Sequence, residues 1–256
     1  MNQKKNKFYI TTSIVYTNAE PHIGYAMELI QADVLARYHR LKGEETWFLT
    51  GTDEHGIKIA RSAEKEGKDP QSFVDDLAVK YEALTSSLEV ANDDFIRTTD
   101  KIRHWPTPTK LWELIESKGD LYKKNYEGLY CPGCELFYKK SDLVDGKCPI
   151  HLKELDVVTE ENWFFKLSKY TQEIKKKIES DELRILPATR KNEILNLLDD
   201  AEDVSVSRPK ESLSWGIPVP NDPSQTMYVW VDALSNYISA LDWAHNGENF
   251  QNFWPA

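Results

Sequence analysis

The sequence is poor in cysteine and in long apolar runs. Its 256 residues include only three cysteines, which all lie between positions 131 and 148, and an odd number in so short a span does not form a disulfide framework. No apolar run reaches the roughly eighteen residues of a membrane helix, and the lysine-bearing N-terminus lacks the apolar stretch of a signal peptide. We therefore expect a cytoplasmic protein that makes no contact with a membrane.

Positive charge is also in deficit. The chain has 42 acidic and 32 basic residues, a formal net charge of −10, which excludes nonspecific binding of nucleic acid through overall charge. Local clusters such as Lys123-Lys124, Lys139-Lys140 and Lys175-Lys176-Lys177 are candidate basic patches, and the alternative for each is a solvated surface. With 40% apolar residues, the chain is globular and long enough for one large core or one domain with an insert.

The cysteines and one histidine have the spacing of metal ligands. Cys131-Pro-Gly-Cys134 is followed by residues 135–147 and then by Cys148-Pro-Ile-His151. Three sulfurs and one imidazole fill a tetrahedral zinc shell and leave no position for a catalytic water. We expect one structural Zn²⁺ per chain at these four residues, and the alternative is a set of reduced thiols beside an incidental histidine.

A candidate nucleotide site follows the first strand. The apolar strand Lys7–Thr12 leads to Pro21-His22-Ile23-Gly24-Tyr25, which opens a helical pattern that runs to about Leu41. In a parallel α/β sheet, such a helix directs unpaired backbone N–H groups at an anion near the carboxyl edge. Gly24 allows close approach of a phosphate, and His22 can donate a hydrogen bond to it. The alternative is a helix start with a buried histidine.

A second polar segment leaves the next strand. Glu45–Thr50 is predicted as a parallel strand that runs into the loop Gly51-Thr52-Asp53-Glu54-His55-Gly56, and Asp94–Arg97 as a third strand. Polar segments after successive strands meet at one edge of the sheet, where doubly wound folds bind ligands. The intervening helices are predicted at Gly56–Glu66, Pro70–Leu88 and Lys101–Lys118, with Pro106 and Pro108 delaying the last of them. The fold class is therefore α/β with a Rossmann-like parallel sheet.

The pattern becomes mixed in the middle of the chain. Short strands are predicted near Leu121–Tyr130 and Leu155–Thr159, and helices near Lys169–Ser180 and Arg190–Leu198. We interpret residues 119–213 as an inserted connective domain that contains the zinc knuckle, residues 131–151. Residues 1–118 are then the first half of the sheet domain.

Residues 214–256 return to that domain. The segment Thr226–Val231 alternates between aromatic and valine side chains at residues 228–231. It is predicted as a sheet strand that carries Trp230 at its carboxyl end. Asp232 is then expected to cap a helix that runs through Leu241.

These segments together resemble class I aminoacyl-tRNA synthetases and, within them, the methionyl-tRNA synthetases. The similarity lies in T-T-S-I-V-Y-T-N-A-E-P-H-I-G-Y, W-F-L-T-G-T-D-E-H-G and Y-V-W-V-D-A-L-S-N-Y, in order over essentially the whole chain. It implies activation of L-methionine by ATP, with Mg²⁺, to methionyl-adenylate, and transfer to the acceptor end of tRNA(Met). Another class I synthetase and a non-catalytic tRNA-binding protein remain alternatives.

The resemblance also implies two sets of site residues. Asp53 would receive the methionine ammonium, Arg208 would pair with Asp53, and Tyr25 stands where the family usually has a second histidine. The ATP set is His22, Gly24, Tyr25 and Glu28, of which the first three are also catalytic. The methionine set is Ile14, Tyr16, Asp53, Arg208, Trp230, Ala233, Leu234 and Tyr237.

The family pattern extends beyond these residues. The resemblance leads us to expect a further strand, a lysine-bearing KMSKS loop and a helical anticodon-binding domain, and the sequence up to Ala256 contains none of them. We therefore expect an N-terminal part of an enzyme that is inactive by itself.

Overall fold

A computed structural model describes residues 6–134, 136–138 and 142–255. The candidate patch Lys139-Lys140 lies outside the described residues.

A parallel sheet forms the first part of the protein, as predicted. The middle strand, β3, pairs with the first two strands along one side and with the fourth along the other, because Leu49 is opposite both Thr11 and Asp94. The strands are β1 (Lys7–Thr11), β2 (Val15–Tyr16), β3 (Glu45–Asp53) and β4 (Asp94–Arg97). Since β3 continues to Asp53, the expectation that Gly51 and Thr52 belong to a loop is wrong.

Four helices follow these strands along the chain, also as predicted. They are α1 (Ile23–Leu41), α2 (Ile57–Lys65), α3 (Pro70–Ser87) and α4 (Pro106–Ser117). The prolines at the start of α4 occupy its first turn, where a missing N–H costs no intrahelical bond. Along α1, Tyr25, Leu29, Ala32 and Ala36 are buried. This spacing places one face of α1 against α2, α3 and β3.

A second, antiparallel sheet lies within residues 121–205. Its strands are β5 (Leu121–Cys131), β6 (Leu136–Tyr138), β7 (Asp156–Phe165) and β8 (Val204–Ser205), in the order β6-β5-β7-β8, and helices α5 (Thr171–Glu179) and α6 (Ala188–Asp199) follow β7. The β5–β7 ladder extends from Leu121 opposite Phe165 to Tyr130 opposite Asp156. Strand β7 is thus longer than predicted. The exact limits of the inserted domain stay a prediction.

The expected strand Thr226–Val231 is wrong. A third sheet contains β9 (Ser207–Pro209), β10 (Pro218–Val219) and β11 (Asp222–Met227), all antiparallel, and three short helices follow: α7 (Val229–Leu234), α8 (Asn236–Ser239) and α9 (Glu248–Phe253). The chain leaves β11 at Tyr228, whose N–H donates to Val206 O at 2.8 Å and whose carbonyl accepts from Val231 N at 2.9 Å. Trp230 therefore lies on a helix and not at the end of a sheet strand.

The expected role of Asp232 as a helix cap is also wrong. Asp232 lies within α7 and is buried, and the predicted helix through Leu241 is interrupted at Ser235. Among the described residues, the helices are too short or too polar to cross a membrane.

A buried ion pair ties the ends of β3 and β4 together. Both Glu54 carboxylate oxygens accept from Arg97, at 2.7 Å from Nε and 2.9 Å from Nη2, and the hydroxyls of Thr52 and Thr99 also donate to Glu54. Burial would lower the pKa of Arg97, but the carboxylates of Glu54 and Asp75 outweigh it and raise that pKa. Arg97 therefore remains charged beside a fully buried carboxylate.

We expect Arg97→Ala to destabilise the fold strongly, because it leaves the Glu54 carboxylate buried without a counter-charge. The expected loss in the free energy of unfolding is about 3–5 kcal/mol, measured by urea denaturation. Arg190→Ala, which removes an exposed ion pair with Glu193, is the matched control and should change little. Equal effects of the two substitutions would contradict the assignment.

Candidate active site

His22 caps α1 and is held in a defined tautomer. Its Nδ1 accepts a hydrogen bond from Gly24 N at 3.1 Å, so the ring proton of the neutral imidazole lies on Nε2, which is left as a donor. A Cβ at Gly24 would lie 2.9 Å from the His22 ring, closer than real contacts allow. Gly24 therefore permits the histidine to turn back over the helix start, where the N-terminus of α1 favours an anion.

Tyr25 is not placed at the nucleotide edge. It is 3% exposed, its hydroxyl is 3.1 Å from Thr50 Oγ1, and its ring contacts Tyr81 edge-on. Burial raises the pKa of Tyr25 to about 12, so the hydroxyl stays protonated. The side chain therefore packs in the core beside Thr50 and Tyr81, and its predicted contact with ATP stays a prediction.

Glu28 connects α1 to the loop after β1. One carboxylate oxygen accepts from both the N–H and the hydroxyl of Ser13, each at 2.7 Å. The loop position of Ile14, the next residue, is thereby fixed relative to α1.

Two residues of the predicted methionine-binding site are neighbours in the sheet. In the parallel pairing of β2 with β3, Tyr16 is the register partner of Asp53, and Thr17 N donates to Asp53 O at 3.0 Å. Asp53 is buried at the last position of β3. The sheet therefore brings an apolar ring with a hydroxyl beside a carboxylate at its carboxyl edge.

Arg208 is buried in β9 and does not lie on the parallel sheet. Its Nη1 donates to Ser205 Oγ and to Ser207 O, both at 2.7 Å. Its guanidinium lies 4.4 Å from the ring centre of Tyr228 and 6.0 Å from that of Tyr130, within cation–π range. The pairing of Arg208 with Asp53 stays a prediction.

A cavity of about 1050 Å³ lies between the antiparallel sheet of residues 121–205 and helices α7 and α8. Four residues of the predicted methionine-binding site line this cavity: Arg208, Trp230, Leu234 and Tyr237. Ile14, Tyr16 and Asp53 do not, nor does Ala233, which lies in α7 between Asp232 and Leu234. Tyr237 connects the two groups, since it also packs with Ile14 against a core cluster that includes Leu49 and Ile96.

A buried carboxylate between two histidines was missed by the sequence reasoning. Asp232 Oδ2 is 2.5 Å from His55 Nδ1, and Asp232 Oδ1 is 2.6 Å from His104 Nε2. All three side chains are at most 2% exposed. The rings of Trp105 and Trp215 flank His55, with their ring centres 6.0 and 5.3 Å from that of the imidazole.

The sequence held only a partial signal for this cluster. His55 is in the same segment as Asp53, and Asp232 is in the same segment as Trp230. The contact joins residues separated by 177 positions, so no local pattern could predict it.

Asp232 is ionised in this cluster. Burial would raise the pKa of Asp232, but the facing His55 and His104 outweigh it and lower that pKa to about 2. Each ring is therefore positioned to donate one hydrogen bond to a negative carboxylate.

The four predicted metal ligands converge. Their ligand atoms, Cys131 Sγ, Cys134 Sγ, Cys148 Sγ and a ring nitrogen of His151, all lie within 4.8 Å of one another, and Nδ1 of His151 is the nitrogen nearest the sulfurs, 3.1 Å from Cys134 Sγ. Burial opposes ionisation of Cys148, yet backbone and ring groups of His151 lower its pKa to about 6. A Cβ at Gly133 would lie 2.8 Å from His151 Nε2, so glycine gives the imidazole its space. The donor set fits a closed tetrahedral zinc site.

Comparisons with known proteins show the family of this chain. A family model described as class I tRNA synthetases (M) matches residues 8–157 and 141–256. The methionine–tRNA ligase of Thermotoga maritima is 45% identical over 255 residues, covering 98% of this chain and 40% of the relative, and that of Streptomyces coelicolor is 42% identical, covering 99% and 48%. A solved Mycobacterium tuberculosis methionyl-tRNA synthetase in complex with methionyl-adenylate matches with a TM-score of 0.92 and 36% identity, covering 98% of this chain and 50% of that chain.

The family-model match and the structural match show that this parallel-sheet fold is that of a class I tRNA synthetase. Within that class, the chain belongs to the methionyl-tRNA synthetase family. It spans 40% and 48% of the length of the two curated relatives and half of the solved chain.

We expect Asp232 to contribute to stability in a pH-dependent way. Because its pKa is lowered from an ordinary value of about 3.9 to about 2, its contribution is fully present above pH 4 and is lost as the pH falls towards 2. The expected size is about 2–3 kcal/mol. The free energy of unfolding of the wild type and of Asp232→Asn is measured with urea between pH 5 and pH 2. The difference between the two free energies should become smaller as the pH falls. A difference that does not change with pH would contradict the lowered pKa.

Proposed function

We propose that this chain contributes the methionine- and ATP-binding parts of a methionine–tRNA ligase. The enzyme would activate L-methionine with ATP to methionyl-adenylate and transfer the methionyl group to tRNA(Met). The observation that carries the proposal is the convergence, at one edge of the parallel sheet, of the His22-capped helix start with the paired residues Tyr16 and Asp53, in a member of this family.

The activation step needs charge stabilisation more than covalent help. The methionine carboxylate oxygen forms a bond to the α-phosphorus of ATP while the bond to the departing pyrophosphate breaks. A donor that is already oriented stabilises the charge that develops on the phosphate oxygens. His22 meets this requirement because the hydrogen bond from Gly24 leaves its Nε2–H as the donor. The magnesium that accompanies ATP would supply further positive charge there.

Methionine recognition divides between charge and shape. The Asp53 carboxylate would receive the substrate ammonium, since a buried cation needs an anionic partner. The apolar and aromatic side chains of Ile14, Tyr16, Trp230 and Tyr237 would surround the thioether, which makes favourable contacts with ring edges. Ala233 and Leu234 lie on the same short helix as Trp230 and would complete this wall. Glu28 would act indirectly through the Ser13 loop.

Two further parts of the proposal concern zinc and tRNA. Zn²⁺ would hold the knuckle closed and take no part in the reaction, because the ligand set leaves no open position.

Binding of the acceptor end of tRNA(Met) is proposed from family membership. The described lysines of the candidate patches give little support to bulk attraction, since Lys123 pairs with Asp222 at 2.9 Å and both Lys175 and Lys177 pair with neighbouring carboxylates.

We expect one zinc per chain, measured by elemental analysis. Cys134→Ser should release the metal and lower the stability of the insert while the parallel sheet remains folded, because metal binding is coupled to local folding. Tyr138→Phe is the matched control, since it removes the hydroxyl that donates to Cys134 Sγ at 3.1 Å and leaves all four ligands. A purified protein that is fully folded and free of metal would refute the zinc assignment.

Asp53 and Trp230 should affect methionine binding in different ways. Asp53→Ala should weaken binding of methionine and of its longer and shorter analogues alike, because all carry the ammonium. Trp230→Ala should instead reduce discrimination among these side chains, where one methylene is worth about 1–3 kcal/mol. Both are measured by amino-acid-dependent exchange of pyrophosphate into ATP, in a polypeptide of the full family length. Normal activation of methionine by Asp53→Ala would show that another group binds the ammonium.

A further inference from the structure

We propose that Asp232 is a positioning residue that sets the shape of the methionine pocket, by fixing α7 to the end of β3 through His55 and to the segment before α4 through His104. The inference rests on the proposed function of the site. Asp232 does not itself need to touch the substrate.

The cluster joins the two halves of the proposed pocket. His55 is two residues beyond Asp53, and Asp232 is two residues beyond Trp230. The Asp53 side of the pocket, proposed to bind the ammonium, and the Trp230 side, proposed to fit the side chain, therefore meet at the Asp232 carboxylate. His55 and Asp232 are 177 positions apart in the sequence, so no short connection sets the relative position of the two halves.

Helix α7 has few other anchors. It is only six residues long, and its N-cap residue, Tyr228, makes no side-chain capping hydrogen bond. Val229 and Asp232 are its buried residues, and the partly buried Val231 packs against a neighbouring core cluster. The residues proposed to contact methionine are not held by their own burial, since Trp230 is 51% and Leu234 is 63% exposed. The orientation of Trp230 therefore depends mainly on how the helix is held at Val229, Val231 and Asp232.

The hydrogen bonds of Asp232 are directional, whereas the apolar packing of Val229 is not. Both carboxylate oxygens are engaged, at 2.5 and 2.6 Å, by nitrogens from two different segments. Charge-assisted hydrogen bonds of this kind in a buried site hold both distance and angle. A displacement of about 1 Å in a binding wall is enough to change a rate by about a hundredfold, so this geometry bears directly on the pocket.

The first test needs no ligand. The protein is labelled with 5-fluorotryptophan, the Trp230 signal is assigned with Trp230→Phe, and amide hydrogen exchange is followed in residues 53–56 and 229–234. Asp232→Ala and His104→Leu should shift the Trp230 signal and speed exchange in both segments. His104→Gln, whose amide nitrogen can replace Nε2 as the donor, should restore wild-type behaviour.

The matched control is a second aspartate–histidine pair, Asp242 and His245, whose side chains are exposed and 2.6 Å apart. Asp242 has a positive φ of 61°, which asparagine tolerates, so Asp242→Asn removes the charge without strain. It should leave the Trp230 signal and the exchange of α7 unchanged. Unchanged signal and exchange in both Asp232→Ala and His104→Leu would overturn the proposal.

The second test measures selectivity in a polypeptide of the full family length. Binding of methionine and of ethionine, which is one methylene longer, is compared by calorimetry. Loss of the Asp232 anchor should reduce the preference for methionine by about tenfold or more, and His104→Gln should restore it. Ile178→Ala, in the buried core of the insert, is a control that lowers stability and should leave the preference intact.

The two tests separate the inference from the proposed function. Failure of the wild-type protein to bind methionine would refute the proposed function, and the fluorine and exchange measurements would still decide whether Asp232 positions α7. Normal methionine binding with an unchanged preference in Asp232→Ala would refute the positioning role alone.

Discussion

The structure depends on the pairing of one strand, β3, with parallel neighbours on both sides. This pairing carries the end of β3 into the interior, where Asp53, Glu54 and His55 are all buried. Each of the three then has a different neighbour: Asp53 is beside Tyr16, Glu54 binds Arg97, and His55 binds Asp232. Successive polar residues in one buried segment are costly unless they are satisfied, and Arg97 and Asp232 supply the partners of Glu54 and His55.

Part of this arrangement could be predicted from the sequence, because it follows from local pattern. The strand at Lys7–Thr11 and the helix at Ile23–Leu41 are confirmed almost to the residue, since apolar periodicity and a Pro-His-Ile-Gly start are local signals. The cluster of three cysteines and one histidine could also be predicted, because both pairs are close in sequence and only the approach of the two pairs requires folding.

The rest could not be predicted, because it depends on contacts between distant segments. Residues 228–231 alternate as a strand would, yet β11 ends at Met227 because its partners, β9 and β10, end there too. Tyr25 follows the motif glycine directly, but the helix phase turns its ring into the core beside Tyr81. The roles of Asp232 and His104 depend on a contact across 128 positions, which only the complete fold specifies.

The two halves of the proposed methionine site therefore differ in how firmly they are held. The Asp53 side is part of a sheet strand with hydrogen-bonded neighbours, whereas the Trp230 side is a six-residue helix with two buried residues. Apolar side chains in place of the whole cluster would avoid the desolvation cost of a charge and are often the more stable choice in a core. They would allow α7 to settle in several orientations, because apolar contacts have no preferred direction. A carboxylate between two imidazoles favours one orientation, so the cluster gives the proposed pocket wall a single geometry that an equally stable apolar core would not.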